Sequence, residues 1–264
     1  VRSRGLGDVY KRQQNSYAGV TNKILSRRAD RICVAYEGME RFFPADKIVM
    51  TGNPIRGIIV PATREMKEAG VKEYGLDPSR KHIFVVGGSL GSSRFNQCMR
   101  KWISDGCPGI DGVDVLWQCG KYYKKGVDEF MAEQKARNPE VLRHVHHTDF
   151  VGRMELAYAA ADVVVSRSGA SSVSELCAAH KAVIFVPSPN VAEDHQTHNA
   201  MALVRKDAAL IVKDADAMEK MIPTALDLLK DEARIAALEE KAGKMALPDA
   251  AGKIAEEVYK LIKD

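Results

Sequence analysis

Hydrophobic positions along the chain fall into two rhythms. Short apolar, β-branched runs recur at Ile32-Cys33-Val34-Ala35, Ile48-Val49-Met50, His82-Ile83-Phe84-Val85-Val86, Val113-Asp114-Val115-Leu116-Trp117, Asp162 to Val165, Val183-Ile184-Phe185-Val186 and Ala209-Leu210-Ile211-Val212. Between most of them lie stretches of longer period, such as Ser92 to Trp102, Glu155 to Ala160 and Val173 to Ala179, which predict helices. A strand that is apolar at nearly every position has no face to offer water, so both faces of its sheet must be covered. Such strands alternating with helices predict an α/β domain, a doubly wound parallel sheet, over residues 53–247.

The flanks read differently. Thr51-Gly52-Asn53-Pro54 is a turn signal, and a polar linker follows before the strand at His82. Residues 14–52 supply a helix and two strands, too little for such a domain, and are expected to be the tail of an N-terminal domain whose beginning is missing. Ala251, Ile254, Val258 and Leu261 recur at helical spacing after Pro248-Asp249, so residues 248–264 should form a helix whose apolar stripe packs on that N-terminal part. The first thirteen residues, VRSRGLGDVYKRQ, carry neither rhythm, and residues 1–13 are set aside from the fold as a non-native leader.

Composition narrows the class. The 264 residues are 45% hydrophobic and 28% charged, ordinary for a globular chain. No apolar segment approaches the roughly 18 residues needed to span a bilayer, which suggests a cytoplasmic protein and leaves attachment to a membrane surface open. The formal charge is +4, but basic and acidic residues are interspersed, and no basic stripe with interleaved aromatics supports nucleic acid as a partner. Cys33, Cys98, Cys107, Cys119 and Cys177 show no C-x-x-C spacing and read as reduced, buried thiols rather than disulfides or zinc ligands. In His144-Val145-His146-His147 a strand would put His144 and His146 on one face, but no third ligand is recognisable, so no metal site is expected.

In open parallel sheets, ligands sit beyond the carboxyl ends of the strands. Three loops there could carry chemistry. Gly87-Gly88-Ser89-Leu90-Gly91 follows a strand and precedes a helix, so it could bring backbone N–H groups to an anion; it is neither G-x-G-x-x-G nor a P-loop, and a purely structural turn is equally open. Ser166-Arg167-Ser168-Gly169-Ala170-Ser171-Ser172-Val173-Ser174-Glu175 contains a capping box at Ser172 and Glu175, yet the small residues before it also leave room for a ligand, with Glu175 able to accept from a ribose diol. After Val186-Pro187-Ser188-Pro189-Asn190 comes a polar helix start in which Gln196 and Asn199 share a face at i and i+3; it is either a solvated end or a ligand wall. A phosphate-bearing ligand is the common denominator.

The series Gln14-Asn15-Ser16-Tyr17-Ala18-Gly19, Thr51-Gly52-Asn53-Pro54-Ile55-Arg56, Gly87 to Gly91, Ser166 to Glu175 and Asp194-His195-Gln196-Thr197-His198-Asn199-Ala200 closely resembles the MurG family over residues 14–264. These glycosyltransferases add N-acetylglucosamine to the undecaprenyl-pyrophosphoryl-muramyl-pentapeptide intermediate of peptidoglycan synthesis. The resemblance implies a GT-B fold and UDP-N-acetylglucosamine as donor. It also implies direct displacement with inversion to a β-1,4 linkage, no cofactor, and a peripheral position on the cytoplasmic face of the bacterial inner membrane. By the same resemblance Glu175 binds the ribose, Ala170, Ser171 and Ser172 surround the phosphates, Ser89 lies near the diphosphate, Val151 reads uracil through its backbone, Gln196 contacts the sugar, and Asn15 and Arg56 are further donor-site positions. No resident metal is expected. The family's general base and acceptor surface lie in the N-terminal domain, so this chain is expected to be an inactive donor-binding fragment. A UDP-N-acetylglucosamine 2-epimerase or a non-catalytic nucleotide-sugar binding module are the alternatives.

Overall fold

The computed structural model describes residues 10–263. Two parallel sheets carry the fold. The smaller has β1 (Tyr10–Gln13), β2 (Arg31–Val34) and β3 (Ile48–Met50) in that spatial order, with α1 (Val20–Ser26) crossing from the first to the second. Setting aside residues 1–13 therefore placed the start of the fold too late: Tyr10–Gln13 pairs in register with Arg31–Val34. Gln13 is buried and donates to the carbonyls of Asn15 and Tyr17 at 3.0 and 2.8 Å. An edge strand is held by backbone bonds that need no apolar side chains, so Tyr-Lys-Arg-Gln gave no pattern to read. Residues 1–9 of that leader lie outside the described residues.

The larger sheet contains β4 (Lys81–Val86), β5 (Val113–Gln118), β6 (Val145–Thr148), β7 (Val163–Ser166), β8 (Val183–Phe185) and β9 (Leu210–Ile211). Its spatial order is β6-β5-β4-β7-β8-β9. Counted from β4, this is 3-2-1-4-5-6, the order of doubly wound nucleotide-binding sheets. The chain reverses its winding between β4 and β7, whose connections leave in opposite directions and open a crevice at their carboxyl ends.

Helices cover both faces. Ile83 and Val85 of β4 join one buried cluster with residues of α3 (Ser93–Ser104), α4 (Lys124–Arg137) and α9 (Ala217–Leu228), while Phe84 and Val86 point into a second with α6 (Met154–Ala160), α7 (Ala170–Ala178) and α8 (His195–Val204). That two-sided burial is why the strands read as continuous apolar runs. The segment expected to be a polar linker instead holds α2 (Arg64–Glu73), capped by Thr63, which accepts from the N–H of Met66 at 3.2 Å. Its contact with α6 is made through Gly70, where a Cβ would lie 2.3 Å from the Leu156 carbonyl oxygen. A helix packed through glycine and one buried Val71 leaves little apolar stripe in the sequence. The remaining helices are α5 (Pro139–Leu142), α10 (Glu232–Lys244) and α11 (Ala250–Lys263). Ile254 of α11 is buried, and Glu257 lies 3.5 Å from Arg31 of β2, so α11 rests against the small sheet.

The histidine run leads into β6, with His144 just before the strand and His146 and His147 within it. His144 and His146 share one face and both reach the buried carboxylate of Asp114, at 2.8 and 3.5 Å, while His147 reaches Asp128 at 2.8 Å. Burial pushes the Asp114 carboxyl up, but hydrogen bonds from His146, the Asp77 N–H and His144 outweigh it and hold it down at about 2. All five cysteines are buried and unpaired.

Candidate functional site

At the switch point, β4 ends at Val86 and the chain turns through Gly87–Gly91 into α3. Ser92 caps that helix, accepting from the Phe95 N–H at 3.3 Å. Gly91 has φ +78°, and a Cβ there would lie 2.3 Å from the Cys119 carbonyl oxygen. Only glycine lets the loop lie this close to the exit of β5, which leaves Ser89 and Leu90 exposed at its tip.

Next to Val86 in register is Ser166, the last residue of β7. The chain leaves through Arg167-Ser168-Gly169 and enters α7 at Ala170, with Gly169 as N-cap and no side-chain cap. The capping box expected at Ser172 and Glu175 is therefore not formed. Ser172 already lies in the first turn, because an earlier start buries Ala170 and Val173 and leaves the free N–H groups of the helix facing the crevice.

Glu175, one turn further in, is only 8% exposed. Its two oxygens accept from Arg56 Nε at 3.0 Å and a terminal guanidinium nitrogen at 2.9 Å, and Tyr158 donates at 3.5 Å. Hydrogen bonding to Glu175 raises the affinity of Arg56 for its proton. Burial, then the charge of Glu175, pushes the Tyr158 phenol far up, so it stays protonated and serves as a donor.

Between these loops lies a cavity of about 580 Å³, lined by the glycine loop, Gly169 and Ser172 at the start of α7, Ser188 to Asn190 after β8, and Gln196 of α8. The carbonyl oxygen of the Gln196 side chain accepts from the N–H groups of Ser168 and Ser188 at 3.3 and 2.9 Å, joining the loops after β7 and β8. Its amide nitrogen makes no hydrogen bond among the described residues and is available to a ligand. Ser89, Ser172 and Gln196 thus share one wall, with Ala170 and Ser171 in the adjoining turn. Arg56 and Glu175 pair behind them. Val151 is buried at 3% exposure after β6 and is not on the cavity wall.

The shared face proposed for Gln196 and Asn199 divides in the structure. Asn199 is fully buried, accepting from the Ser16 N–H at 2.8 Å and donating to Asn15 Oδ1 at 2.9 Å and the Ser168 carbonyl at 3.2 Å. Asn199 and Asn15 therefore tie the small sheet's loop to the large sheet. Asn53 does the same from the other side, donating to the Gln14 carbonyl at 2.9 Å and Ser174 Oγ at 3.1 Å.

Three charged residues escaped the sequence reading. Arg167 donates to Asp214 at 2.6 Å, the Val186 carbonyl at 2.8 Å and Ser92 Oγ at 2.9 Å, and its guanidinium stacks 4.6 Å from the Phe95 ring centroid. Asp214 also accepts from Arg94 at 3.2 Å. One carboxylate shared by two guanidiniums leaves the cavity floor with a net positive charge. The N-termini of α3 and α7 add to it, so the site favours an anion. Arg167 stood in the small-residue run, but its partner Asp214 is remote in sequence and carried no signal of its own.

The model of the glycosyltransferase family 28 C-terminal domain matches residues 82–254. Among curated proteins, the chain is 49% identical over 251 residues to the UDP-N-acetylglucosamine--N-acetylmuramyl-(pentapeptide) pyrophosphoryl-undecaprenol N-acetylglucosamine transferase of Bacteroides thetaiotaomicron, covering 94% of this chain and 65% of that protein. It is 42% identical to the protein of the same name from Christiangramia forsetii, covering 99% of this chain and 68% of the relative. The crystal structure of MurG from Acinetobacter baumannii superposes with a TM-score of 0.71 at 25% identity, over 96% of this chain and 66% of that one. A UDP-N-acetylglucosamine 2-epimerase superposes with a TM-score of 0.62 over 89% of this chain and 58% of that one, but at 16% identity it shares the fold alone. The chain belongs to glycosyltransferase family 28 and, within that GT-B fold family, to the MurG family.

Proposed function

We propose that the cavity holds UDP-N-acetylglucosamine and that the whole protein transfers its N-acetylglucosamine, with inversion, to the undecaprenyl-pyrophosphoryl-muramyl-pentapeptide acceptor of peptidoglycan synthesis. The observation that carries this reading is the convergence of two helix N-termini and the Arg94–Asp214–Arg167 cluster on one crevice, with the buried Glu175 and its partner Arg56 beside it. A diphosphate lies against the positive end of α7, bound by the N–H groups of Ala170, Ser171 and Ser172 and by the hydroxyl of Ser89. Glu175, bridged to Arg56 by two hydrogen bonds, accepts from the two ribose hydroxyls, and Arg56 lies within reach of the same nucleoside. The backbone of Val151 reads uracil, and the free amide nitrogen of Gln196 donates to the sugar. Asn15 acts through Asn199, holding the loop of the small sheet against this wall.

As the bond to the anomeric carbon breaks, charge builds on the departing UDP. Fixed N–H dipoles and guanidiniums already aimed at that position stabilise it without having to reorient. Residues 53–247 are read as the donor domain, with 10–52 and 248–264 belonging to the acceptor side. The chain spans about 65% of the first relatives' length, and the transfer step is assigned to the whole protein. Among the described residues no helix is long and apolar enough to cross a membrane, and the lipid-linked acceptor is met by peripheral attachment at the cytoplasmic face.

Isothermal titration of this chain with UDP, UDP-N-acetylglucosamine and ADP tests the donor assignment. Saturable binding of both uridine ligands and none of ADP is expected. Equal binding of ADP, or conversion of the nucleotide-sugar to its C2 epimer, would overturn it.

A further inference from the structure

Among the described residues that line the donor cavity, Asp214 is the acidic one. It follows β9, and its side chain is 13% exposed. One oxygen accepts from Arg167 at 2.6 Å and the other from Arg94 Nε at 3.2 Å. A carboxylate beside a bound diphosphate repels it, so the reason for its presence lies in what it does to the two guanidiniums.

Those two are held differently. Arg167 is committed to the protein, donating also to the Val186 carbonyl at 2.8 Å and to Ser92 Oγ at 2.9 Å while its guanidinium stacks on Phe95. Arg94, 36% exposed on the cavity wall, makes a single hydrogen bond among the described residues, the one from Nε to Asp214. An anchor at Nε restrains the side chain and leaves both terminal nitrogens to a ligand.

Given the donor assignment above, we propose that Asp214 governs release of the nucleoside diphosphate product: it holds Arg94 for contact with the diphosphate and cancels enough positive charge to let UDP leave after transfer. When the acceptor hydroxyl takes the sugar, the bond from the anomeric carbon to the β-phosphate oxygen breaks. Its electron pair stays on that oxygen, and the proton of the hydroxyl ends in solvent. A diphosphate with about two negative charges as the sugar ester carries about three once free, because a terminal phosphate loses its second proton near pH 6. Coulomb energy scales with the charge, so a fixed carboxylate weighs about 1.5 times as heavily on the product as on the donor. Two guanidiniums without Asp214 would favour the product over the donor, and the carboxylate offsets that preference. Asp214 is thus a positioning residue, acting through Arg94 and Arg167, while Arg94 is the group that touches the diphosphate.

Isothermal titration of the parent, Asp214→Asn and Arg94→Gln with uridine, UDP and UDP-N-acetylglucosamine, at about pH 8 and about pH 5, tests this on either side of the terminal phosphate's titration. At the higher pH, Asp214→Asn should bind UDP-N-acetylglucosamine about tenfold and UDP about 30-fold more tightly, with uridine unchanged and UDP dissociation slowed to match. At the lower pH the terminal phosphate is protonated and the two gains should be equal. Arg94→Gln should do the reverse, weakening UDP about 30-fold and the nucleotide-sugar about tenfold without moving uridine. It also carries the test if Asp214→Asn does not fold. A role confined to bracing Arg167 would weaken every ligand alike, uridine included, with no pH-dependent difference between UDP and its sugar. The proposal is overturned by that pattern, by an Asp214→Asn variant that binds UDP no more tightly than the parent, or by Arg94→Gln with a UDP affinity within about threefold of it. A parent that binds UDP but shows any of these results overturns the role of Asp214 alone, whereas a parent that binds neither uridine nor UDP overturns the donor assignment and this role with it.

Discussion

Replacing Glu175 by Ala separates a ligand role from a structural one. In the folded chain the change removes both charge-assisted bonds to Arg56, at 3.0 and 2.9 Å, and the 3.5 Å contact from Tyr158. The Arg56 side chain is 46% exposed, so water takes over its solvation, and the loss of this pair costs about 1 kcal/mol. Tyr158 is buried and keeps an unpartnered hydroxyl, which adds about 1 kcal/mol. Together they predict a fall of about 2 kcal/mol, or about 4–8 °C in Tm for a chain of this size. Two hydroxyl-to-carboxylate bonds to a ribose contribute about 3 kcal/mol, so UDP affinity should fall about 100-fold. Calorimetric titration with UDP and a thermal melt on the same preparation read both quantities. Glu175→Gln, which keeps the volume, should melt near the parent and still bind UDP weakly. A UDP affinity within about threefold of the parent in Glu175→Ala would refute the ribose role, and a Tm loss much beyond about 8 °C would make the pair chiefly structural.

Other outcomes follow from the same geometry. Asp114 has its carboxyl held at about 2, below the ordinary 3.8, so its contribution is fully present above about pH 4 and is lost as pH falls towards 2. Asp114→Asn should remove about 2 kcal/mol of that acid dependence, measured as a flatter stability profile between pH 4 and 2 in urea unfolding followed by circular dichroism. Gly91→Ala places a Cβ 2.3 Å from the Cys119 carbonyl oxygen at positive φ and should cost about 3 kcal/mol or more, seen in the urea midpoint, with UDP binding lost alongside. Gln196→Leu strips the acceptor from the Ser168 and Ser188 N–H groups and the donor facing the sugar. It should reduce the preference for UDP-N-acetylglucosamine over UDP by about tenfold in competition titrations.

Much of this was legible in the chain itself. Runs such as Ile83 to Val86 and Val163 to Val165 are apolar at every position because both sheet faces are covered, so the pattern alone implied a parallel sheet and put the glycine loop, the run from Ser166 to Glu175 and the loop before Gln196 at strand ends. What tertiary structure decided was where partners meet. Glu175 finds Arg56 119 positions away, and Arg167 finds Asp214 47 positions on. The start of α7 moved from a local capping box to Ala170 because burial of Ala170 and Val173 outweighed a side-chain cap. A strand held by backbone bonds at Tyr10–Gln13 and a helix packed through Gly70 left no apolar trace. Periodicity records which face of an element is buried, a short-range property. Ion pairs, helix starts and backbone contacts depend on which elements the closed fold brings together, and only the folded chain specifies that.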